Sequence, residues 1–133
     1  MSNIEESRQG SQEFTTRPWG EYFKMYQEPG VWVKRIEVNP GARLSLQKHN
    51  HRSEKWIVVK GTGIAIIANN HIAIQPGSTI DVPLGALHRL SNTHTDEPLV
   101  IIEVATGDTL TEEDIVRVED DYKRQEGGGQ ADG

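Results

Sequence analysis

Four residues in two short segments of the chain have the donor atoms and the spacing of a divalent-metal site: Gln47, His49, Glu54 and His88. Residues two apart on a strand face the same side, so Gln47 and His49 can point together into an interior. A turn after His49 can return Glu54 on the neighbouring strand, and His88 comes from a later hairpin. First-row divalent ions accept such nitrogen and oxygen donors, so the pattern predicts one metal ion. Zinc is the first choice, and manganese, cobalt, nickel and iron are the alternatives.

His51 competes for a place in this set, because it shares the parity of His49 along an extended chain. Pairing His49 with His51 leaves only two residues before Glu54, which is a poorer spacing, so His51 is expected on a pocket wall or in an exposed turn. For any one histidine alone, the simpler interpretation is a buried side chain with ordinary hydrogen bonds or an exposed loop residue. Only the combination of four donors favours a metal. His71 and His94 have no such context and are expected at the surface.

The segments that must position these donors are short, rich in Val and Ile, and divided by Pro and Gly. Eight of them are predicted to be β-strands: Trp32 to Val38, Leu44 to His49, Lys55 to Lys60, Ile64 to Ala68, His71 to Ile74, Thr79 to Val82, Leu87 to Leu90 and Leu99 to Ala105. Turn signals recur between them at regular spacing, which is typical of an antiparallel sandwich or barrel. Asn69 and Asn70 are the expected tip of one hairpin. Thr111 precedes three acidic residues, a pattern typical of a helix start, so one short C-terminal helix is predicted.

Composition restricts the partners and the setting of the protein. The 133-residue chain is long enough for one domain, predicted over residues 14–125, with disordered tails at residues 1–13 and 126–133. A net charge of −6 disfavours nucleic acid and anionic membranes as partners. The sequence has no cysteine, no apolar stretch long enough to cross a bilayer and a polar beginning, so a cytoplasmic location is expected.

The two segments that carry the donors resemble the paired motifs of the cupin superfamily. The matching positions are, in order, Gly41, Gln47, His49, Glu54 and Gly61, and then Gly77, Pro83, Gly85, His88 and Asn92. Gln47 stands where the cupin pattern usually has a histidine, and it replaces one neutral donor by another. The resemblance implies an all-β fold, a double-stranded β-helix or jelly-roll barrel, with the metal inside.

A narrower resemblance extends from about Arg17 to Arg124. It rests on segments that occur in order: Arg17 to Tyr22, Leu44 to Val59, Pro83 to Gly85 with His88 to Leu90, and Asp114 to Arg117. Together they are similar to the C-terminal domain of type II phosphomannose isomerases, the bifunctional mannose-1-phosphate guanylyltransferase/mannose-6-phosphate isomerase enzymes. The resemblance implies metal-dependent interconversion of mannose 6-phosphate and fructose 6-phosphate through an enediol. It also implies the same four metal ligands, and basic residues near the sugar phosphate at Arg52, Arg89, Arg117 and Arg124.

The sequence departs from that family in two ways that bear on function. No glycine-rich nucleotide-binding loop is found, so guanylyl transfer is not expected. Lys48, Asn50 and Lys55 replace residues that are commonly Met, His and His in the family, which puts the sugar specificity in question.

Isomerisation also needs a base, and Lys34 is the candidate, with the metal ligand Glu54 as the second catalytic residue. Trp32, Lys34, Ile36 and Val38 share one strand face that is predicted to line the barrel interior, where a lysine can have a lowered pKa. Lys34 could equally lie at the barrel rim with its ammonium group in water.

Several interpretations of function and partners stay open. The leading one is a sugar-phosphate isomerase with a phosphorylated sugar as its substrate. Two histidines and one carboxylate are also the iron-binding set of oxygenases, and a cupin can act as a sugar-binding module without catalysis. Arg117 is either a phosphate-binding residue or the i, i+4 partner of Asp121 on the predicted helix. Cupins are often dimers, so a homodimer is expected, with Trp19 and Tyr22 as candidate interface residues.

Overall fold

The computed structural model describes residues 13–122 of the chain, and within that range the regular structure consists of eleven β-strands. In chain order they are β1 (Thr15–Arg17), β2 (Gly20–Glu28), β3 (Val31–Val38), β4 (Leu46–Lys48), β5 (Arg52–Lys60), β6 (Gly63–Ile67), β7 (Asn70–Ile74), β8 (Thr79–Val82), β9 (His88–Ser91), β10 (Leu99–Gly107) and β11 (Val116–Glu119). The prediction of an all-β fold is therefore confirmed.

The strands form two antiparallel sheets. One has the order β1-β2-β3-β10-β5-β8 and the other the order β11-β4-β9-β6-β7. In the first sheet β10 lies between β3 and β5, with Glu103 opposite both Lys34 and Trp56. In the second sheet β4 pairs with β9 through Gln47 and His88. Because β5 carries Glu54, the predicted metal ligands come from both sheets.

Alternate residues of the strands point into one core, as the period of two along an extended chain requires. The buried residues of β3 are those predicted for its interior face: Trp32, Lys34, Ile36 and Val38. Trp19 and Tyr22 belong to the buried core, so the expectation that they are exposed is wrong, and the homodimer stays a prediction. The large apolar side chains that are exposed lie elsewhere, for example Ile57 and Val59 on the outer side of β5.

The predicted C-terminal helix is not found among the described residues. Residues 112–113 form a turn, and the chain then continues into β11. The acidic side chains bind other parts of the barrel instead of the amides of their own segment. The carboxylate of Glu112 accepts a hydrogen bond from Lys34, and that of Asp114 accepts one from the backbone N–H of His51. These tertiary contacts take the place of local helix capping and hold the segment as a strap across the barrel.

Strands β1, β2 and β11 are not among those predicted, and one turn lies elsewhere than predicted. In β2 apolar residues are mixed with Lys and Glu, because only its first half is buried, and β11 is mostly exposed. Neither strand therefore has the clean alternation on which prediction relies. The hairpin between β6 and β7 turns at Ala68 and Asn69, one residue earlier than predicted, with Ala68 at a positive φ of 54°.

The predicted tail at residues 126–133 lies outside the described residues, as do residues 1–12 and residues 123–125 of the predicted domain. Within residues 13–122 the structure contains no helix of the length and apolar character needed to cross a membrane.

Candidate metal centre

The four predicted ligands line one cavity inside the barrel. His49, Glu54 and His88 form a possible metal-binding triad, because one nitrogen or oxygen atom of each lies within 4.8 Å of the others. Nε2 of His49 is 3.2 Å from Oε2 of Glu54. The ring centroids of His49 and His88 are 4.9 Å apart. All these side chains and that of Gln47 are buried, so the donors are shielded from water.

Backbone contacts between the two motifs bring the ligands together. Gln47 on β4 lies directly opposite His88 on β9. The backbone N–H of Gly85, in the second motif, donates to the carbonyl oxygen of His49, in the first, with a nitrogen–oxygen distance of 2.9 Å. Glu54 enters from β5 in the other sheet, opposite Ala105 of β10.

A glycine permits the close approach of β10 to the turn that follows His49. Gly107, the last residue of β10, lies opposite Arg52. A Cβ atom at Gly107 would overlap the carbonyl oxygen of His51. Any larger residue at this position would push the turn away from the sheet and so disturb the spacing between His49 and Glu54.

Hydrogen bonds to carbonyl groups set the tautomer of both histidines. Nδ1 of His49 lies 2.6 Å from the carbonyl oxygen of Asp114, and Nδ1 of His88 lies 3.0 Å from that of Ala86. A carbonyl oxygen only accepts, so in each ring Nδ1 must carry the proton. The lone pair of each neutral ring is then on Nε2, which is the atom that a metal would bind.

The carboxylate of Glu54 is held at both oxygens. The indole N–H of Trp56 donates to Oε1 at 2.9 Å, and Nε of Arg52 donates to Oε2, also at 2.9 Å. Gln47 is oriented in a similar way, because its amide nitrogen donates to the hydroxyl of Ser45 at 2.9 Å. The amide oxygen of Gln47 is then the atom that could serve a metal.

Burial and neighbouring charges set the protonation of two ligands. The pKa of His49 is lowered from 6.5 to about 4, mainly because burial penalises the imidazolium, with Arg52 and His88 adding to the effect. Burial alone would raise the pKa of Glu54. Electrostatic interactions with His88, His49 and Arg52, in that order, outweigh burial and lower this pKa to about 2. At neutral pH the site therefore offers a neutral imidazole and a carboxylate, the forms that bind metals.

The cavity and its donors fit one divalent ion. The cavity volume is about 20 Å³, room for an ion or a single water molecule. Two imidazole nitrogens, a carboxylate and an amide oxygen suit zinc and the other first-row ions named above. A second, open depression of about 350 Å³ is lined by Tyr22, which also lines the cavity, and by Lys24 and Glu112.

Arg52, predicted near a sugar phosphate, lies inside the metal centre. Its guanidinium contacts Oε2 of Glu54, lies 3.1 Å from Nε2 of His49 and donates to the carbonyl oxygen of Thr111. The group also lies 4.8 Å from the ring centroid of Trp32. Arg52 is therefore an internal cation beside the ligands.

The other predicted basic residues have different settings. Arg89 is buried and donates to the backbone oxygens of Leu44 and Glu119, so it ties β11 to the barrel. Arg117 lies on β11 opposite Gln47, in a strand. The expected helical pair between Arg117 and Asp121 is therefore wrong, and Asp121 binds Arg43 instead. The predicted phosphate-binding residue Arg124 lies outside the described residues.

Lys34, the predicted base, is 1% exposed, so the alternative of an ammonium group in water at the rim is wrong. Its Nζ lies 3.0 Å from a carboxylate oxygen of Glu112, and 4.4 Å and 4.3 Å from the ring centroids of Tyr22 and Trp32. A carboxylate and two aromatic faces stabilise the ammonium form. An ammonium group cannot accept a proton, so these contacts do not favour Lys34 as a base.

Two acidic residues that the sequence does not predict lie at the site. Glu103 is buried, lines the cavity and accepts a hydrogen bond from the indole N–H of Trp32 at 3.0 Å. The sequence feature that could have identified Glu103 is a single acidic residue within the apolar segment of β10. Asp114 contacts the turn after His49, and its spacing in the sequence gives no sign of this role. His51, the rival ligand, lies in an exposed turn.

Proteins of known function resemble most of the chain. The xanthan biosynthesis protein XanB of Xanthomonas campestris pv. campestris is 46% identical over 108 residues, which are 81% of this chain and 23% of that protein. The alginate biosynthesis protein AlgA of Pseudomonas aeruginosa and the mannose-1-phosphate guanylyltransferase ManC of Salmonella typhimurium are each 44% identical over 108 residues, 22% of their lengths. The chain thus spans less than a quarter of these relatives.

These relatives correct the predicted function. Their names refer to guanylyl transfer and to xanthan and alginate biosynthesis, and the relatives are much longer than the matched segment. The prediction that the chain is a mannose 6-phosphate/fructose 6-phosphate isomerase is therefore wrong. What holds is the coarser statement that the matched segment occurs in enzymes such as the guanylyltransferases.

Solved structures support the fold, and a family model identifies the family. The capsular polysaccharide assembling protein CapF of Staphylococcus aureus superimposes with a TM-score of 0.73 at 19% identity, over 84% of this chain and 33% of that one. A cupin-2 domain of Rhodospirillum rubrum gives a TM-score of 0.66 at 19% identity, over 80% of each chain. The fold is therefore a cupin, as predicted. Because the model described as mannose-6-phosphate isomerase C-terminal matches residues 4–120, the chain belongs to that family.

Proposed function

We propose that this chain is a metal-dependent enzyme domain that binds a phosphorylated sugar at a divalent ion held by Gln47, His49, Glu54 and His88. The observation that carries the proposal is the buried triad, in which the donor atoms of His49, Glu54 and His88 lie within 4.8 Å of one another. Carbonyl groups already direct the lone pair of both imidazoles away from the backbone. When bound, the ion supplies a Lewis acid for an oxygen atom of the ligand.

The ligand class has support from the relatives. The family description and the name of the guanylyltransferase relatives both contain a mannose phosphate. A phosphorylated sugar is therefore the first class of small molecule to test. It also offers hydroxyl and carbonyl oxygens, which a divalent ion in a site of nitrogen and oxygen donors accepts.

The size of the cavity restricts how such a ligand can bind. A volume of about 20 Å³ accommodates the ion but no sugar, whereas ligand pockets commonly measure about 300–1,000 Å³. The open depression beside Tyr22 measures about 350 Å³. It is lined by the ammonium group of Lys24 and by the carboxylates of Glu13 and Glu112, and Lys24 lies 3.5 Å from Glu112. We therefore expect the sugar in this depression, with its phosphate group replacing Glu112 as the partner of Lys24.

Calorimetric titration of the metal-loaded protein with a panel of hexose phosphates tests the proposal. We expect at least one hexose phosphate to bind more tightly than its parent sugar and than inorganic phosphate. Binding should be lost without metal and in His88→Ala, and weakened in Lys24→Met. Lys55→Met is the matched control, because Lys55 is an exposed lysine paired with Asp81 away from the depression. Equal affinity with and without metal, or no binding of any hexose phosphate, would contradict the proposal.

A further inference from the structure

The loop between β10 and β11 binds directly to the segment that carries the metal ligands. Four contacts join residues 111–114 to residues 49–52. Nδ1 of His49 donates to the carbonyl oxygen of Asp114, and the backbone N–H groups of Asn50 and His51 donate to its carboxylate. The fourth contact is the hydrogen bond from Arg52 to the carbonyl oxygen of Thr111, at 3.2 Å.

Asp114 supplies three of these contacts from one residue. Its carboxylate oxygens lie 2.8 Å and 2.9 Å from the amide nitrogens of Asn50 and His51. Hydrogen bonds between a carboxylate and N–H groups are stronger than those between neutral groups. Asp114 is itself buried, so water cannot readily replace it as the acceptor for these amides.

The position of Asp114 affects the geometry of two metal ligands. Its carbonyl oxygen keeps the proton of His49 on Nδ1, which leaves Nε2 as the donor atom. Its carboxylate fixes the start of the turn that separates His49 from Glu54. That turn sets the distance between Nε2 of His49 and Oε2 of Glu54, which is 3.2 Å.

We propose that Asp114 is a positioning residue of the metal centre: it holds the orientation and tautomer of His49 and the turn between His49 and Glu54. The proposal rests on the metal binding proposed above, but its geometric part concerns the protein alone. Groups that orient metal ligands typically contribute about 10- to 100-fold to metal affinity. Loss of the Asp114 carboxylate is therefore expected to lower affinity although Asp114 itself binds no metal.

Two variants and one control separate positioning from general stability. Asp114→Ala removes both carboxylate contacts, and Asp114→Asn keeps one acceptor oxygen in a side chain of the same shape. Asn92→Ala is the matched control. Asn92 is a buried side chain that makes three hydrogen bonds to the backbone, with Val38, Glu97 and His94, and it does not line the metal cavity. The Asn92→Ala substitution should lower the free energy of unfolding without affecting the metal ligands.

The zinc dissociation constant of each folded variant, measured by competition with a chelator, is the first readout. We expect Asp114→Ala to weaken zinc binding roughly 10- to 100-fold, Asp114→Asn to weaken it less, and Asn92→Ala to leave it unchanged. Wild-type affinity in both Asp114 variants would overturn the proposal. An equal loss in the Asp114 variants and Asn92→Ala would do the same, because the effect would then be one of stability.

Nitrogen NMR of the imidazole of His49 in the metal-free protein is the second readout. We expect the wild type to have the proton on Nδ1. Both Asp114 variants keep the backbone carbonyl group, but without the carboxylate contacts this group is no longer held against His49, so we expect these variants to populate both tautomers. If the wild type bound no zinc, the proposed function would fail, and the NMR result would decide the positioning role independently. A His49 tautomer that is unchanged in both Asp114 variants would then overturn that role as well.

Discussion

Nε2 of His49 and Oε2 of Glu54 lie 3.2 Å apart in the barrel interior, although both atoms are hydrogen-bond acceptors. The proton of the neutral His49 ring is on Nδ1, where it is donated to Asp114. Two buried acceptors this close require a cation between or beside them. Arg52 provides one, since its guanidinium lies 2.9 Å from the oxygen and 3.1 Å from the nitrogen. A divalent ion in the cavity would provide a second.

The role of Arg52 as an internal cation leads to the first prediction. Arg52→Met leaves the buried carboxylate of Glu54 without its paired charge, which typically costs about 3–5 kcal/mol. We expect the free energy of unfolding of the metal-free protein to fall by roughly that amount, and saturating zinc to recover part of the loss because it supplies another cation. Chemical denaturation with and without zinc measures both effects.

Arg43→Met is the control for this experiment. Arg43, like Arg52, binds a carboxylate. Its partner is Asp121, to which it makes two hydrogen bonds, but both side chains are exposed. Exposed pairs contribute roughly 0–1 kcal/mol, so we expect a small loss that zinc does not change. A similar loss in both variants would contradict the assignment of Arg52 as the cation of the site.

The pKa values of His49 and Glu54 predict that the metal-free protein loses stability on acidification. The pKa of His49 is about 4 in the folded protein against 6.5 ordinarily, and that of Glu54 is about 2 against 4.5. The unfolded chain therefore binds more protons than the folded protein between pH 6.5 and 4 at His49, and between pH 4.5 and 2 at Glu54. More protons bound in the unfolded state means that stability falls as the pH falls through both windows.

Urea denaturation of the metal-free protein between pH 7 and pH 4 tests this dependence. The His49 shift corresponds to a loss on the order of 3 kcal/mol. His49→Gln carries no titratable group, so its stability should change less over the same window. Constant or rising wild-type stability from pH 7 to pH 5, or an identical profile in His49→Gln, would be inconsistent with a buried neutral imidazole.

A third prediction distinguishes the two possible ligand sets of the first motif. Gln47 is buried and lines the cavity, whereas the side chain of His51 is 55% exposed. We expect Gln47→Ala to weaken zinc binding, and His51→Ala to leave it unchanged, because only the first substitution removes a donor from the cavity. Zinc affinities of the two variants provide the comparison. The opposite order would show that the neighbouring histidine is the ligand.

Sequence reasoning succeeds here where local spacing determines the outcome. The interior face of β3 follows from the period of two, and Gln47, His49, Glu54 and His88 do meet in one cavity. Motif spacing is enough for this, because the strands and turns between the donors are short.

Prediction from the sequence fails where a long-range contact determines the local structure. The acids at 112–114 suggest a helix start, but Asp114 binds the amide of His51, 63 residues earlier in the chain. Sequence alone places Arg52 near a phosphate, and it leaves Lys34 either in the barrel interior as a base or at the rim. Their acidic partners, the buried Glu54 and the half-buried Glu112, approach them only in the folded barrel.

The most direct test of the central claim is the metal content of the purified protein after reconstitution with zinc and removal of free ions. Elemental analysis by inductively coupled plasma mass spectrometry should give about one zinc ion per chain for the wild type. Glu54→Ala and His88→Ala should remain folded by circular dichroism and should contain no stoichiometric metal, because each removes one donor of the triad. A wild-type protein that retains no zinc, manganese, cobalt, nickel or iron, or an unchanged content in both variants, would contradict the assignment of a metal centre.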